Sequence, residues 1–114
     1  MALLPNADEA VIAAEKLRDY LLNLGHPANG GKASFFLMLG YSRDDWVRLE
    51  EDLREQHLTQ DALEVSGNAY GRKWTIEAEL KGPEGTGRIL SVWFAESGNP
   101  APRFVTARPI ESKR

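Results

Sequence analysis

The apolar residues in the first half of the chain recur every three or four positions, which is the spacing of an α-helix. The pattern predicts a first helix that starts at a cap residue, Asn6 or Asp8, and ends at Gly25. A short and largely apolar helix is predicted from Lys32 to about Leu39. Ser42 then caps a third helix, whose inward-facing residues are Trp46, Val47, Leu49 and Leu53.

In the second half of the chain, apolar residues alternate with polar ones, which is the pattern of β-strands. The alternation is cleanest from Arg72 to Lys81, and further strands are predicted at Ala62–Val65, Arg88–Ala95 and Arg103–Arg108. This order predicts an α+β fold, with about three N-terminal helices packed on one face of a roughly four-stranded antiparallel sheet. Residues 1–114 are predicted to form a single domain.

The helices should cover the more apolar face of the sheet, which assigns these residues to the covered face: Trp74, Ile76, Ala78, Leu80, Leu90, Val92, Phe94, Val105 and Ala107. The opposite face then consists of Lys73, Thr75, Glu77, Glu79, Ile89, Ser91, Trp93, Ala95, Phe104, Thr106 and Arg108. It includes aromatic rings, hydroxyls and cations. Such a surface can stack a nucleic-acid base and hold a phosphate. Because the same residue types also pack well in strands without a ligand, both interpretations stay open.

The composition is that of a folded domain, with 42% apolar residues, 27% charged residues and no cysteine. The lack of cysteine excludes a disulfide scaffold, a thiol nucleophile and a cysteine-based metal site. The net charge of −3 argues against a broad nucleic-acid-binding surface. The charge is uneven, however: residues 1–60 hold 10 acids and 6 bases, whereas residues 61–114 hold 7 acids and 8 bases. A local cationic site is compatible with this distribution.

No segment of the sequence has the features of a membrane anchor or a signal peptide. No apolar run approaches the roughly 20 residues that span a bilayer, and the N-terminus lacks a basic start followed by a long apolar stretch. We therefore expect action in the cytoplasm, either where the chain is made or after delivery as part of a larger secreted protein. No membrane partner is expected.

The two histidines are the natural candidates for acid–base chemistry. His57 lies near the predicted end of the third helix, where an interaction with the helix dipole is the simpler interpretation. His26 lies in a glycine-containing loop, six residues before Lys32, whose ammonium group at the start of the short helix could hold an anion. The alternative for His26 is an ordinary loop residue that contacts a carbonyl group. The alternative for Lys32 is a solvated charge.

Other kinds of site have less support. Two histidines without metal-ligand spacing do not predict a zinc site, and the glycines do not follow a strand as they do in phosphate-binding loops. No serine lies in a nucleophile elbow. Glu77 and Glu79 share one strand face, so a hydrolase of another small substrate remains the least favoured alternative. No metal and no cofactor is predicted.

The chain resembles an uncharacterised bacterial domain family associated with toxin-type proteins. The matching segments cover most of the sequence: Leu4-Pro-Asn-Ala7, Tyr20-Leu-Leu22, His26-Pro27, Gly31-Lys-Ala33, Phe35-Phe36, Gly40-Tyr41, Trp46, Tyr70-Gly71, Gly82-Pro83, Ser91-Val-Trp93 and Arg103-Phe-Val-Thr-Ala107. The order of elements is similar to the barnase–EndoU–colicin–RelE group of ribonucleases. Ser91 and Trp93, with an upstream histidine and lysine, resemble the pattern of the colicin D tRNase, although His26 and Lys32 stand in the reverse order.

The resemblance implies a metal-independent endoribonuclease toxin that acts on RNA, with tRNA as one candidate, and that is held by an immunity protein or antitoxin. A ribose 2′-hydroxyl attacks the adjacent phosphorus and leaves a 2′,3′-cyclic phosphate. The implied catalytic residues are His26 as general acid or base, Lys32 as phosphate clamp, and Ser91 and Thr106 as hydrogen-bond donors. The implied substrate-binding residues are Lys73, Trp93, Phe104 and Arg108. The main alternative is a non-catalytic interaction module that docks a partner on the aromatic-rich sheet face.

Overall fold

The computed structural model describes residues 2–28 and 31–110. Three helices precede four strands along the chain: a π-helix (Glu15–Leu21), a short helix (Lys32–Met38), a long helix (Trp46–Gln56), and strands β1 (Leu63–Gly67), β2 (Gly71–Lys81), β3 (Thr86–Glu96) and β4 (Arg103–Pro109). The strands form one antiparallel sheet in the order β1-β2-β3-β4. The predicted α+β fold is therefore confirmed. Within the described residues, no helix has the length and apolar character needed to cross a bilayer.

The N-terminal segment differs from the single long helix that the sequence predicts. It forms a 3₁₀ turn (Ala7–Glu9), then an extended stretch, and only then the π-helix. In the extended stretch Val11 N donates to Pro102 O at 2.8 Å, and Phe104 N donates to Val11 O at 2.9 Å. The start of β4 thus gains a parallel neighbour, and these backbone hydrogen bonds replace a first helical turn.

The register between β2 and β3 decides which side chains share a face. Trp74 faces Trp93 and Ile76 faces Ser91, so Ser91 and Trp93 lie on the same face as the apolar residues of β2. Both are fully buried. The predicted covered face is therefore confirmed for Trp74, Ile76 and Leu80, but the prediction for β3 is wrong. The alternate residues of β3, Leu90, Val92 and Phe94, lie opposite Glu77, Thr75 and Lys73 on the other face. Of these three, Val92 is buried as predicted.

A bulge in β4 explains a second wrong face assignment. The register shifts between Val92 and Trp93, so Trp93 pairs with Phe104 while Ser91 pairs with Ala107. Phe104 and Ala107 are both buried, although strict alternation would place them on opposite faces. The predicted exposure of Phe104 is therefore wrong, because the sequence pattern carries no sign of the extra residue.

One hydrophobic core contains residues from all three helices and from the sheet. Its members include Leu17, Leu21, Phe36, Leu49, Leu53, Trp74, Ile76, Leu80, Ile89, Trp93, Phe104 and Ala107. Gly87 lets the short helix approach β3 closely, since a Cβ atom there would lie 2.5 Å from Cζ of Phe35. Lys32 is the first residue of this short helix.

Candidate functional site

Four polar or aromatic side chains from different parts of the chain meet beside β4. We call them the Tyr20 cluster: Tyr20, His26, Lys32 and Thr106. Lys32 Nζ donates to Tyr20 Oη at 3.0 Å and to Thr106 Oγ1 at 3.1 Å, and Thr106 Oγ1 donates to Tyr20 Oη at 3.4 Å. All four side chains are partly exposed. The cluster therefore combines hydrogen-bond donors, a cation and titratable groups where a ligand can reach them.

His26 joins the cluster through the Tyr20 ring and through its own loop. The two rings meet edge to face, with 5.1 Å between their centroids and an angle of 85° between their planes. The backbone N–H of Ala28 donates to His26 Nδ1 at 3.0 Å, and Tyr20 Oη donates to Ala28 O at 3.4 Å. The loop thus orients the imidazole against the phenol.

The local structure around Tyr20 is a π-helix, in which the hydrogen bonds span five residues. Leu22 N donates to Leu17 O at 2.9 Å, one residue farther than in an α-helix. Such helices are uncommon and are frequently found at functional sites. Leu17 and Leu21 of this helix are buried in the core, so they hold the backbone of Tyr20 while its ring reaches Lys32.

The charge of Lys32 changes the acidity of the phenol. Partial burial alone would raise the pKa of Tyr20, but the hydrogen bonds from Lys32 and Thr106, together with the charges of Lys32 and Lys16, outweigh it. The pKa of Tyr20 therefore lies below its ordinary value. The Lys32 ammonium also lies 5.3 Å from the centroid of the Tyr20 ring, which adds a cation–π contact.

A family model described as "Domain of unknown function (DUF6883)" matches residues 3–111. The chain belongs to this family. No curated protein and no solved structure matches it. The description of the DUF6883 family names no activity.

Three residues that the sequence predicts on an accessible surface of the DUF6883 domain are instead buried: Ser91, Trp93 and Phe104. Trp93 Nε1 donates to Ser91 Oγ at 2.9 Å, and Ser91 Oγ lies 2.9 Å from His57 Nδ1. We call these three residues, His57, Ser91 and Trp93, the His57 network. Because no part of it reaches solvent, Ser91 cannot donate to a bound phosphate, and Trp93 and Phe104 cannot stack a bound base.

Burial also sets the protonation state of the His57 network. It lowers the pKa of His57 to about 4, so the imidazole is neutral at physiological pH. The predicted helix-dipole interaction requires an imidazolium and is therefore wrong. The residue lies at the end of the long helix as expected, but its ring turns into the core toward Ser91.

The two remaining predicted substrate-binding residues, Lys73 and Arg108, are exposed. Lys73 faces Phe94 and Arg108 faces Leu90, on the sheet face opposite Trp74 and Ile76. Their roles stay predictions. In the part of the chain that the structure describes, no three histidine, aspartate or glutamate side chains converge as metal ligands would.

Tyr20 is the residue of the cluster to which the sequence reasoning gave no role. It stands among the apolar residues of the predicted first helix, so its ring fits a simple packing interpretation. The available signal was its place in the matching segment Tyr20-Leu-Leu22, six residues before His26. That spacing places the phenol beside the imidazole only because the chain turns back after Leu22, which the helical pattern does not show.

Proposed function

We propose that this DUF6883 domain is a metal-independent endoribonuclease that cleaves RNA by attack of a ribose 2′-hydroxyl and leaves a 2′,3′-cyclic phosphate. One observation carries the proposal: His26 and Lys32 meet Thr106 at a partly exposed phenol, although Thr106 lies 74 residues beyond Lys32 in the sequence. A reaction of this kind needs a base, an acid and fixed donors at the phosphate, and the cluster contains each type.

Lys32 and Thr106 form the phosphate-binding side of the proposed site. As the attack proceeds, negative charge grows on the non-bridging oxygens, and fixed positive groups at that position lower the barrier. Lys32 supplies the charge, and the Thr106 hydroxyl, 3.1 Å from Lys32 Nζ, supplies a further donor. His26 acts as general acid or base. Ser91, Trp93 and Phe104 take no part, because they are enclosed in the core.

The toxin role extends this proposal to the cell. An RNA-cleaving domain is harmful where it is made, so we propose a cognate immunity protein or antitoxin as its partner, with cellular RNA as the substrate.

We also infer that the helical layer covers only one face of the sheet. The Tyr20 cluster lies beside that layer, where the π-helix and the short helix meet β4.

The activity is tested by incubating the purified domain with total bacterial RNA in excess EDTA and analysing the ends of the products. We expect cleavage that leaves cyclic phosphates, and no cleavage where a single 2′-deoxy nucleotide replaces the attacking ribose. Lys32→Ala should lower the rate roughly 100- to 1,000-fold. The matched control is Lys81→Ala, an exposed lysine at the end of β2, which should keep the full rate. Intact RNA, or equal loss in both variants, would refute the proposal.

One observation favours the interaction module as second candidate. Leu63 of β1 is 67% exposed and faces Thr75, on the same sheet face as Leu90 and Phe94. That face can dock a protein partner, although without Trp93 and Phe104. In this case the wild-type domain should cleave no RNA, and binding of its protein partner should be lost in Leu63→Lys and retained in Lys32→Ala.

A further inference from the structure

The hydrogen bond to His26 decides which ring nitrogen carries a proton. Because a backbone N–H can only donate, the Ala28 amide at 3.0 Å requires a lone pair on His26 Nδ1. The proton of the neutral imidazole is then on Nε2. In this arrangement Nε2 is a donor, so neutral His26 offers no nitrogen that can accept a proton from a substrate.

The phenol oxygen of Tyr20 has the opposite character. It lies 3.0 Å from the Lys32 ammonium group and 3.4 Å from the Thr106 hydroxyl, and both groups donate to it. A positive charge and two donors stabilise the anionic form of an oxygen. The phenol hydrogen donates to Ala28 O at 3.4 Å, which is long for an O–H···O hydrogen bond.

We propose that Tyr20 is the general base of the reaction and His26 the general acid. This assignment rests on the proposed ribonuclease function and resolves the two roles that it leaves open for His26. Lys32 and Thr106 change partner during the reaction. Both donate to the Tyr20 oxygen before the proton transfer and to the phosphate oxygens once Tyr20 is protonated. Tyr20 is in this account a catalytic residue, because its oxygen touches the reacting hydroxyl.

The Tyr20 phenolate takes the proton of the 2′-hydroxyl, and the 2′-oxygen forms a bond to phosphorus. The bond between phosphorus and the 5′-oxygen breaks, with its electron pair on that oxygen, which takes a proton from Nε2 of His26. His26 enters this step as the imidazolium, in which Nδ1 has taken up a proton and given up the hydrogen bond from the Ala28 amide. Exchange with water then removes the proton from Tyr20 and restores the one on His26. Neither an oxidant nor a metal enters the balance.

The experiment separates acid from base by changing the leaving group. The cleavage site is first mapped on RNA, and an RNA containing that site is then made with sulfur in place of the bridging 5′-oxygen. A thiolate leaves without protonation, so the general acid becomes dispensable while the base does not. The variants are Tyr20→Phe, which keeps the ring against His26, and His26→Ala, and circular dichroism checks that each is folded.

On ordinary RNA both variants should lose roughly 100- to 10,000-fold in rate. On the sulfur-containing RNA, His26→Ala should return to within about tenfold of the wild-type rate, whereas Tyr20→Phe should keep its full deficit. Recovery of Tyr20→Phe, recovery of both variants or of neither, or near-normal cleavage of ordinary RNA by Tyr20→Phe would overturn the assignment. If the wild-type domain cleaves no RNA, the proposed function itself fails, and that outcome is distinct from these.

Discussion

The Tyr20 cluster and the His57 network contain similar chemical groups in different surroundings. Each contains a histidine, a hydroxyl and an aromatic ring, and in each some members are joined by hydrogen bonds near 3 Å. His57 takes part in such a bond, whereas His26 meets the Tyr20 ring edge to face. The Tyr20 cluster is partly exposed and includes the ammonium group of Lys32, whereas His57, Ser91 and Trp93 are 0% exposed. Burial keeps His57 neutral, and the cation favours loss of a proton from Tyr20.

The difference teaches that residue type alone does not mark a functional site. In the His57 network, Ser91 Oγ is the shared partner of Trp93 Nε1 and His57 Nδ1 inside the core, where an unpaired donor or acceptor costs about 1–3 kcal/mol. The Tyr20 cluster leaves charge and donors at the surface, where they add little to stability but can act on a ligand. Substitutions in the His57 network should therefore change the free energy of unfolding, and substitutions in the Tyr20 cluster should change the rate of RNA cleavage.

Trp93→Ala should produce the largest change in stability. The indole is fully buried beside Phe104, with 5.3 Å between the ring centroids. Removing it should cost about 3–5 kcal/mol, through lost burial and the cavity left behind. Urea unfolding followed by circular dichroism measures this. Trp93→Phe, which keeps a ring but loses the donor to Ser91, should lose less. A cost under 1 kcal/mol would contradict the placement of Trp93 in the core.

Acid should destabilise the fold through His57. The pKa of His57 is about 4 in the folded chain, against the ordinary value of 6.5 expected in the unfolded chain. Between these pH values the unfolded chain binds a proton that the folded chain does not. This contribution to stability is complete above pH 6.5 and falls as the pH drops toward 4, by about 3 kcal/mol in all.

Urea unfolding at pH 7.5, 5.5 and 4.0 tests this effect, with His57→Gln as the variant that lacks it. Measurements stop at pH 4.0 because Asp19 titrates lower. The hydrogen bond from Arg18 lowers the pKa of Asp19 to about 2. Desolvation acts in the opposite direction, and a hydrogen bond from Arg43 adds to the lowering. Equal pH dependence in the wild type and His57→Gln would show that His57 is not the group responsible.

Ser91→Ala should have a smaller effect than either. The substitution leaves the Trp93 donor and His57 Nδ1 without their shared partner in the core. We expect a loss of about 1–3 kcal/mol, measured by urea unfolding at pH 7.5. Ser66→Ala, at an exposed position of β1, is the matched control and should change stability by less than about 0.5 kcal/mol. Equal small losses in both would mean that the network is not satisfied as described.

The sequence predicted β2 correctly because only one set of its alternating residues is apolar. In β3 both sets are apolar, with Ile89 and Trp93 on one and Leu90, Val92 and Phe94 on the other. Periodicity then separates the two faces but does not say which is covered. Pairing with β2 decides that, and pairing is a long-range property that a single sequence does not reveal.

The candidate site was predictable only in part, because its geometry also depends on contacts between segments that are distant in the sequence. His26, Lys32 and Thr106 were selected by residue type and do lie together, although their roles stay predictions. Tyr20 received no role because its position fits a helical pattern. Ser91 and Phe104 were misplaced because the register and the bulge in β4 arise only when the strands pair.

The most direct test of the contrast between the two regions compares His26→Gln with His57→Gln. For each variant, RNA cleavage per folded molecule and the free energy of unfolding are measured together, and Ser91→Ala replaces His57→Gln if that variant does not fold. We predict that His26→Gln loses at least roughly tenfold in cleavage with unfolding changed by under about 0.5 kcal/mol. The buried variant should lose stability and keep its cleavage rate. A destabilised His26→Gln with normal cleavage, or a stable His57→Gln without cleavage, would contradict the account.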